Sequence, residues 1–427
     1  MNRRHFLKTS AAGLAYAAAP AVHAQPAGKK YTLALIGSGW WGTNILREAL
    51  ASGECKLLAL CDCDRNQLDK CAQEAGKMTS DSPRHYGDFR ELLAKERPEI
   101  VINATPDHWH ALITIAAVQA GAHVYVEKPI SHTIKEGRAM VNAARAADRV
   151  VQVGTHRRAS PHNISGREFI RSGKAGKIGA VRAFVHYPGG PGRKTPDTDP
   201  PPGLDWDMWC GPAPLRPFNP AIHPKGFRNF LDYANGQLGD WGIHWMDQIL
   251  WCMDEKSPKK VSSMGGRFIK EDSTDNPDTQ VTTFQFESFT ATWEHRYYSG
   301  NPAEKHNIGV YFYGTAGTFH MGWLDGWTFY PSDGGKPIHQ DPKLNEPDQQ
   351  NIKELWADFL AGIKAKKRPV CDIEIGHRST VMSLLGMLSL KLGRSVQWDG
   401  DKEVIVGDDE ANTLLSREYR KPWVYPT

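Results

Sequence analysis

Three titratable side chains near the middle of the chain have a spacing that suits proton transfer. Asp240, His244 and Asp247 stand four and three positions apart, so a helix would carry them on one face. A histidine beside two carboxylates can act as a general base near neutral pH, because the negative charges favour its protonated ring. In the simpler interpretation, Asp240 caps the helix and His244 is a buried core residue. The spacing alone leaves both interpretations open.

A lysine occupies a second position at which chemistry is expected. Lys128 comes just after an apolar run that predicts a strand, and Pro129 follows it. Open α/β sheets bind ligands at the carboxyl ends of their strands, and proline restricts the residue before it to extended backbone. The sequence therefore predicts a turn that directs Lys128 into a ligand cleft. A solvated lysine at a strand end is the alternative.

A glycine-rich segment indicates nucleotide binding. It follows a predicted strand and opens a predicted helix. The first glycine permits a tight turn, the second lets a pyrophosphate approach the backbone, and the third lets helix and strand pack closely. The phosphates would meet the N-terminus of the helix, which carries a partial positive charge. The residues expected along this loop are Gly37, Ser38, Gly39, Trp40, Trp41 and Gly42.

An acidic residue strengthens this interpretation and selects the nucleotide. Asp62 ends the second predicted strand, 20 residues beyond Gly42. A carboxylate there can accept hydrogen bonds from both ribose hydroxyl groups and would repel a 2′-phosphate, which favours NAD over NADP. A glycine turn followed by an ordinary exposed aspartate is the weaker alternative, because the surrounding order of strand, helix and strand agrees with a nucleotide-binding fold.

The elements that must position these residues alternate between strands and helices up to about residue 155. Apolar runs of strand length are separated by longer helical segments such as 107–120 and 134–147. This order predicts an α/β fold with a parallel, doubly wound sheet. The predicted strands are 32–36, 56–61, 100–104, 123–126 and 150–153.

Beyond residue 155 the order of elements changes. A loop holds eleven prolines between Pro188 and Pro224. Strands then follow one another without helices between them, which predicts a mainly antiparallel sheet with helices on one face. The predicted elements are helices at 162–172, 241–253, 351–365 and 376–392, and strands at 181–186, 280–286, 290–297 and 309–313. The last two helices are expected to pack back on the first domain.

The segment 1–24 predicts an export signal. Arg3 and Arg4 precede an apolar region at 11–22, and small residues follow at the expected cleavage site. These are the zones of a signal peptide, and the paired arginines are typical of the twin-arginine route. An uncleaved anchor is the alternative, but the apolar region is shorter than the ~20 residues that a membrane span needs. Export, for instance to the periplasm, is therefore expected, with no membrane span.

Composition excludes several other classes of protein. The 427 residues are 40% apolar and 23% charged, which is typical of a globular chain long enough for two domains. The net charge of +4, less the charges of Arg3, Arg4 and Lys8, leaves +1 after signal removal. This net positive charge is too small to indicate a nucleic-acid binder.

The cysteines predict neither disulfides nor a metal site. The seven cysteines stand at irregular spacing, which is not typical of a disulfide framework. Cys61 and Cys63 lack a second pair at the spacing of zinc ligands, so no metal site is expected.

Five sequence motifs, taken together, resemble one enzyme family. They are ALIGSGWWG, CDCD, ATPDHWH, VEKP and DWGIHWMD, in this order. The set is similar to the glucose-fructose oxidoreductase and inositol dehydrogenase family (Gfo/Idh/MocA), and the likeness covers nearly all of the mature chain. The later segment VCDIEIGHRS resembles the exported, sugar-related branch of that family.

The resemblance implies a Rossmann domain at 31–155 and an α/β domain with an open, mainly antiparallel sheet at 156–427. In this family the open sheet often forms subunit contacts, so a homodimer or homotetramer is expected. The implied nucleotide contacts are Trp40 and Trp41 along the pyrophosphate, and Thr105, Pro106, His110 and Glu127 on the nicotinamide side.

The resemblance also implies roles in catalysis. Lys128 of the EKP motif would contact the reacting hydroxyl and the nicotinamide ribose, and would lower the pKa of that hydroxyl. His244 would accept the hydroxyl proton while the adjacent carbon gives hydride to the nicotinamide. Asp240 would hold the substrate and orient His244.

Further residues are weaker candidates for substrate contact. His156 and Arg157 follow the fifth strand at the same sheet edge, although ordinary exposed loop residues would stand there too. Asp247 is expected on the same helix face as His244. Four tryptophans could stack on the apolar face of a sugar, although each alone is more often a core residue; they are Trp206, Trp209, Trp241 and Trp245.

Export limits the possible functions, because an exported enzyme meets no pool of NAD. Such an enzyme must keep its nucleotide and return it to the starting redox state. In the favoured hypothesis, the protein is an NAD(P)-dependent oxidoreductase that oxidises one sugar or sugar derivative and passes the hydride to a second acceptor.

Two other hypotheses remain. The alternative enzyme is an NAD-dependent glycoside hydrolase or lyase that works by transient oxidation, elimination and re-reduction. The segment around His244 lacks the tyrosine-and-histidine pattern of the glycosidases related to this family, which favours the oxidoreductase. The third hypothesis is a non-catalytic nucleotide-binding sensor, although a pure binder needs neither Lys128 nor His244.

Overall fold

Six parallel strands form the first sheet. The computed structural model describes residues 30–427. The strands are β1 (Tyr31–Ile36), β2 (Cys55–Cys61), β3 (Arg84–Tyr86), β4 (Ile100–Asn103), β5 (His123–Val126) and β6 (Val151–Val153). Their order in the sheet is β3-β2-β1-β4-β5-β6, and every pairing is parallel. The order reverses between β1 and β4, which is where such sheets bind ligands.

Five helices connect these strands. They are α1 (Trp40–Ala51), α2 (Arg65–Met78), α3 (Phe89–Glu96), α4 (Asp107–Gln119) and α5 (Ile134–Ala146). Side chains determine where several begin: Asp64 caps α2, Asp88 caps α3, and Thr133 with Glu136 forms a capping box at α5. The predicted doubly wound α/β sheet is confirmed. The sequence did not predict β3, because two of its three residues are exposed and it contains no apolar run.

Ten strands form a second, open sheet. They are β7 (Ile178–His186), β8 (Lys260–Gly266), β9 (Thr279–Gln285), β10 (Thr290–Arg296), β11 (Ile308–Gly314), β12 (Gly317–Gly322), β13 (Trp327–Pro331), β14 (Ile338–Gln340), β15 (Val396–Asp399) and β16 (Val404–Ile405). Their order is β14-β13-β12-β11-β7-β10-β9-β8-β15-β16. Only β7 and β10 pair in parallel, so the predicted mainly antiparallel sheet is confirmed.

Helices pack on one face of the second sheet. The helices after β6 are α6 (Pro161–Arg171), α7 (Trp206–Cys210), α8 (Ile243–Met253), α9 (Ile352–Ala365), α10 (Ile373–Leu392) and α11 (Asp409–Thr413). Burial alternates along β10, where Ala291, Trp293 and His295 are buried. Trp293 belongs to the same apolar core as Ile170 of α6, Met246 of α8 and Met382 of α10, so these three helices cover the buried face.

The two C-terminal helices connect the halves of the fold. Leu355, Trp356 and Phe359 of α9 are buried in the apolar core of the first sheet. Met382 and Leu385 of α10 belong instead to the core of the second sheet, although α10 also contacts α5. The helix α9 therefore lies against the first sheet, whereas α10 bridges the two.

The proline-rich segment has an apolar cluster of its own, which includes Trp206, Phe218 and Tyr233. It is tied to the first sheet beside the carboxyl end of β2, where the Arg65 amide donates to the Gly203 carbonyl at 2.8 Å. The segment therefore forms part of the wall above the first sheet edge.

The predicted export signal at 1–24 lies outside the described residues. Within residues 30–427, no helix has both the length and the apolar character that a membrane crossing requires.

Candidate active site

The glycine-rich loop joins β1 to α1, and each of its glycines has its own environment. Gly37 has a φ of +91°, and a Cβ there would lie 2.6 Å from the carbonyl carbon of Ala104. A Cβ at Gly42 would lie 2.1 Å from the Gly37 oxygen, so its absence lets the helix approach the strand. A Cβ at Gly39 would meet no atom of residues 30–427 within 4 Å, which leaves open space beside this backbone for a ligand.

The first turn of α1 offers the backbone donors that a phosphate needs. Within the described chain no side chain caps this helix at Gly39, so its first N–H groups remain available to an anion. Trp40 is 58% exposed, and Nζ of Lys225 lies 4.9 Å from the centroid of its ring. This lysine adds positive charge beside the predicted pyrophosphate site.

Asp62 directly follows β2 and faces the glycine loop. Its Oδ2 accepts a hydrogen bond from the Ser38 amide at 2.7 Å, and its Oδ1 accepts one from the Asp64 amide at 2.9 Å. Burial raises the pKa of Asp62 to about 6, although both hydrogen bonds act to lower it. The carboxylate is therefore mainly ionised at neutral pH and can accept hydrogen bonds from a ribose. Ser38 acts here as a support for Asp62.

One cleft at the edge of the first sheet brings the predicted nucleotide-binding residues together. The start of α1, whose backbone N–H groups can bind a pyrophosphate, lines this cleft. The Asp62 carboxylate, which can accept hydrogen bonds from a ribose, and the Lys128 ammonium line it as well, so the residues present fit a nicotinamide dinucleotide. The proline-rich segment contributes Trp209 and Phe227 to the wall. The sequence-predicted residues that line this cleft are Gly37, Gly39, Trp40, Trp41, Gly42, Asp62, Thr105, Pro106, His110, Glu127 and Lys128.

Two residues predicted on the nicotinamide side also hold the cleft in shape. The ring nitrogens of His110 lie 2.7 Å from the carbonyl oxygens of Pro129 and Thr105, so this ring joins the loops that follow β4 and β5. Burial lowers the pKa of His110 to about 4. Glu127 is buried and its Oε2 accepts a hydrogen bond from the Lys128 amide at 3.1 Å.

An ion pair joins the first sheet to the turn before α8. Nζ of Lys128 lies 2.8 Å from Oδ1 of Asp240 and 2.9 Å from its backbone oxygen. Nε of Arg228 donates to the same Oδ1 at 3.2 Å. Burial acts to raise the pKa of Asp240, but the Lys128 and Arg228 cations outweigh it and hold this pKa below its usual range. The fold thus brings together two predicted catalytic residues that are 112 positions apart.

A second cavity, mainly polar, adjoins the ion pair. Asp240 lines this cavity, Lys128 lines the nucleotide cleft, and Arg228 lines both. The ion pair therefore lies between the nucleotide cleft and a polar cavity that suits a sugar. The sequence predicted only Asp240 and Trp241 in this cavity. The other lining residues are Tyr187, Pro188, Lys225, Arg228, Asn229, Gln237, Lys270 and Tyr297.

The sequence predicts that neighbouring carboxylates favour the protonated ring of His244, and the structure contradicts this prediction. The preceding segment Leu238–Gly242 is a π-helical turn, so Asp240 and His244 do not lie on one regular helix. Burial, followed by the positive charges of cations that include Lys128 and Arg157, lowers the pKa of His244 well below its usual value. The ring is therefore in the neutral form that a proton acceptor needs, but its lowered pKa makes it a weaker base than a free imidazole, and neighbouring carboxylates do not raise its basicity.

Asp247 lies away from both cavities, and we therefore revise its prediction as a substrate contact. Its side chain is 1% exposed. The two carboxylate oxygens accept hydrogen bonds from Nε of Arg158 at 2.9 and 2.8 Å, and the Ser379 hydroxyl donates to Oδ1 at 2.8 Å. A buried carboxylate requires such partners. Asp247 thus anchors α8 to the turn after β6 and to α10.

His156 and Arg157 are both buried beside His244. Arg157 donates to the carbonyl oxygens of Gly322 at 2.8 Å and Trp323 at 3.3 Å, so it supports the turn after β12 instead of facing a ligand. The ring of His156 lies 5.6 Å from that of His244, and neither of its nitrogens has a hydrogen-bond partner in residues 30–427. Of the two, His156 keeps polar atoms free beside the predicted base.

The four tryptophans predicted as sugar-stacking residues have different positions. Trp241 lines the polar cavity. Trp245 is fully buried, which makes it a core residue. Trp206 and Trp209 stack on each other with ring centroids 4.7 Å apart, and Trp209 also borders the nucleotide cleft.

Two further residues of the site were not predicted. The Trp323 ring lies 4.9 Å from that of His244, and no pattern in its turn distinguishes it in the sequence. Asp107 lines the nucleotide cleft, and burial raises its pKa to about 7 although Arg228 and Lys128 act to lower it. Its position inside the ATPDHWH motif was the available signal.

Comparison with known families covers both parts of the chain. Residues 31–155 match the family described as "Oxidoreductase family, NAD-binding Rossmann fold". Residues 188–279 and 338–425 match the family described as "Oxidoreductase family, C-terminal alpha/beta domain". The first sheet and its helices are thus an NAD-binding Rossmann domain.

Curated relatives include carbohydrate-active proteins of two kinds. A glycosyl hydrolase family 109 protein of Stenotrophomonas maltophilia (strain K279a) is 34% identical over 142 residues, which are 32% of this chain and 31% of that protein. D-glucoside 3-dehydrogenase of Escherichia coli (strain K12) is 21% identical over 364 residues, which are 81% of this chain and 91% of that protein. The chain therefore spans about a third of the length of the first relative and most of the second.

A solved structure has the same fold. Levoglucosan dehydrogenase, in complex with NADH and levoglucosan, superposes with a TM-score of 0.66 at 19% identity, covering 86% of this chain and 99% of that one.

Replacement of two neighbouring glycines should separate ligand binding from folding. Gly39→Ala should leave the melting temperature unchanged, because its Cβ would meet nothing within 4 Å, yet weaken NAD binding about tenfold or more by obstructing the pyrophosphate. Gly42→Ala should lower the melting temperature, because its Cβ would overlap the Gly37 oxygen. Calorimetric NAD titrations and thermal unfolding would test this. Undiminished NAD affinity in Gly39→Ala would contradict the proposed phosphate position.

NAD affinity should depend on the ionisation of Asp62. Its pKa of about 6 means that the carboxylate can accept the ribose hydrogen bonds above this pH and becomes protonated below it. We therefore expect the affinity of cofactor-free protein to fall as the pH decreases through 6, approaching about tenfold per pH unit. Asp62→Asn should bind NAD more weakly and without this pH step. A wild-type affinity that stays constant through the same range would exclude the ribose role.

Proposed function

Since this chain belongs to the Gfo/Idh/MocA oxidoreductase family, we propose that it is an NAD-dependent oxidoreductase acting on a sugar or sugar derivative. In this proposal the nucleotide lies in the cleft of the Rossmann domain, and the sugar occupies the polar cavity lined by Asp240 and Trp241. The E. coli D-glucoside 3-dehydrogenase, aligned over 91% of its length, supports the substrate class.

The observation that carries this proposal is the position of the Lys128–Asp240 ion pair. Lys128 lines the nucleotide cleft and Asp240 lines the polar cavity, and the two side chains are 2.8 Å apart. A sugar hydroxyl that reaches Asp240 therefore also reaches the Lys128 ammonium. This is where a hydride must pass from a sugar carbon to the nucleotide.

In this proposal, the nucleotide and three site residues each have a separate role in the reaction. A bound nicotinamide supplies the acceptor for the hydride that leaves the carbon carrying the reacting hydroxyl. Lys128 donates a hydrogen bond to the hydroxyl oxygen and stabilises the negative charge that develops there. His244, kept neutral by burial and by nearby cations, accepts the hydroxyl proton. Asp240 orients both Lys128 and the sugar.

We also propose that the enzyme is exported and retains its nucleotide. The Arg3-Arg4 pair and the apolar segment after it support twin-arginine export, a route for folded proteins that would deliver the protein to the periplasm with nucleotide already bound. Six cysteines, which are Cys61, Cys63, Cys71, Cys210, Cys252 and Cys371, are free thiols, which agrees with folding in a reducing compartment. A retained nucleotide must be reoxidised while it stays bound, so a second sugar or another acceptor must accept the hydride from the reduced nucleotide.

The second sheet supports a proposal about assembly. Its open face carries exposed apolar side chains, among them Met264 at 75%, Val281 at 47% and Tyr330 at 42%. Exposed apolar residues on a broad sheet face favour burial against a second copy. We therefore propose a homodimer or homotetramer formed through this sheet.

A second candidate function uses the same first step. The Stenotrophomonas glycosyl hydrolase family 109 protein is 34% identical over its aligned third, and Tyr187 and Tyr297 line the polar cavity. Burial raises the pKa of both phenols, so they stay protonated and can donate to a leaving glycosidic oxygen. An NAD-dependent glycosidase would oxidise the sugar, eliminate the substituent, add water across the double bond that elimination leaves, and then reduce the ring again.

The first test is whether the protein holds its nucleotide. The mature protein would be purified without added nucleotide and denatured, and the released compounds identified by mass and by nicotinamide absorbance. We expect nearly one NAD or NADH per chain. A nucleotide-free protein that binds NAD only weakly would contradict the retained cofactor. Assays with paired sugars and with aryl glycosides would then distinguish the oxidoreductase from the glycosidase.

Lys128 should be required for turnover but not for nucleotide retention. Lys128→Ala should still carry NAD, because the glycine loop and Asp62 remain, while turnover should fall by about 10²- to 10⁴-fold. Lys135→Ala is the matched control, since this lysine is exposed and outside both cavities. Near-normal turnover in Lys128→Ala would remove Lys128 from the mechanism.

A further inference from the structure

Three possible metal ligands meet in the part of the second sheet that lies towards its β14 edge. His306 precedes β11, His320 lies on β12, and Asp325 lies in the turn between β12 and β13. One donor atom from each residue lies within 4.8 Å of the corresponding atoms of the other two. We name these residues the histidine cluster. None of them lines the nucleotide cleft or the polar cavity.

The spacing of the histidine cluster is close to that of a metal site. Nδ1 of His306 and Oδ2 of Asp325 are 3.4 Å apart, and the three donor atoms of the cluster all lie within 4.8 Å of one another. Tetrahedral zinc bonds of about 2.0–2.1 Å place neighbouring ligand atoms roughly 3.4 Å from each other. Small side-chain rotations would bring all three donor atoms onto one ion.

The second observation is an unsatisfied buried nitrogen. His320 is 2% exposed, and its Nε2 has no hydrogen-bond partner in the described part of the chain. A buried polar atom without a partner costs about 1–3 kcal/mol. An ordinary His306–Asp325 ion pair explains two of the three residues but leaves this nitrogen unpaired. A metal ion would satisfy it.

Two glycines leave room around these donor atoms. Gly309 of β11 pairs with Gly322 of β12 across the sheet. A Cβ at Gly309 would lie 2.7 Å from Nε2 of His320, and a Cβ at Gly322 would overlap the Asp325 carboxylate. Any larger residue in this pair would fill the space that the ligand atoms occupy.

We propose that the histidine cluster binds one divalent transition-metal ion of the zinc type. Two imidazoles and one carboxylate are ligands that such ions prefer over magnesium or calcium. The Asp325 side chain is 50% exposed, so the ion has a path from solvent and a position for water. The sequence did not predict this site, because its ligands follow no spacing typical of zinc sites.

The bound ion would hold a turn that borders the active site. Asp325 stands two residues after Trp323, and the Trp323 ring lies 4.8 Å from Trp241 and 4.9 Å from His244. Fixing Asp325 to β12 through the ion therefore restrains Trp323 beside the polar cavity. In this role the cluster positions the cavity wall and takes no part in the chemistry.

Zinc binding by the full mature chain tests this proposal directly. Untagged protein would be stripped with a chelator, dialysed against zinc chloride, and analysed for bound zinc and for its melting temperature. We expect one zinc ion per chain and a higher melting temperature with zinc. Cobalt(II) should give the visible absorption of a tetrahedral site with nitrogen and oxygen ligands.

Matched variants identify where the ion binds. His306→Ala and Asp325→Asn change half-buried or exposed side chains and should weaken zinc binding at least about tenfold. His339→Ala is the control. His339 lies on the same sheet and also pairs with an aspartate, at 3.2 Å from Asp341, but among residues 30–427 it belongs to no group of three possible ligands. It should bind zinc like the wild type.

These measurements test metal binding by the histidine cluster independently of the oxidoreductase activity. Absence of zinc and cobalt binding by the wild-type chain would overturn the proposal. Equal zinc affinity in the wild type, His306→Ala and Asp325→Asn would show that the ion binds elsewhere, which also overturns it. Unchanged melting temperatures of the two variants without zinc would exclude misfolding as the cause of a lost ion.

Discussion

The arrangement of the site depends on the partly buried contact between Lys128 and Asp240. Their side chains are 13% and 19% exposed, and charges this far from water require partners of opposite sign. Lys128 follows β5 of the Rossmann domain, whereas Asp240 lies in the π-helical turn before α8. The pair therefore fixes the position of one half of the fold relative to the other at the point where nucleotide and substrate must meet.

Further charged side chains surround this pair and influence the protonation state of the residues near it. Arg228 donates to Asp240, and Asp107 lies close enough for Lys128 and Arg228 to lower its pKa against the effect of burial. The excess of positive charge near His244, together with burial, keeps that imidazole neutral. A neutral imidazole beside a lysine ammonium suits the removal of a hydroxyl proton, since the cation stabilises the oxygen that loses it.

The same geometry explains why one site could serve two kinds of carbohydrate chemistry. Both proposed reactions begin with the oxidation of a sugar carbon beside Lys128 and His244, and they differ in what happens to the oxidised sugar. The groups that would decide this line the polar cavity, where Tyr187, Tyr297 and Lys270 are placed. Trp241, which lines this cavity and contacts Trp323 with ring centroids 4.8 Å apart, is common to both reactions.

Local sequence patterns determined the order of the elements, the glycine loop and the positions of Asp62 and Lys128. These features depend on neighbours along the chain: Gly37 needs its positive φ, Gly42 its close helix contact, and Asp62 its place at the end of β2. Only the tertiary structure decided which charges surround His244, that Asp247 pairs with Arg158, and that Trp323 borders the site. Those contacts join residues that are far apart along the chain, such as Arg158 and Asp247, which are 89 positions apart. They arise from the packing of the two halves of the fold, which spacing along the chain does not encode.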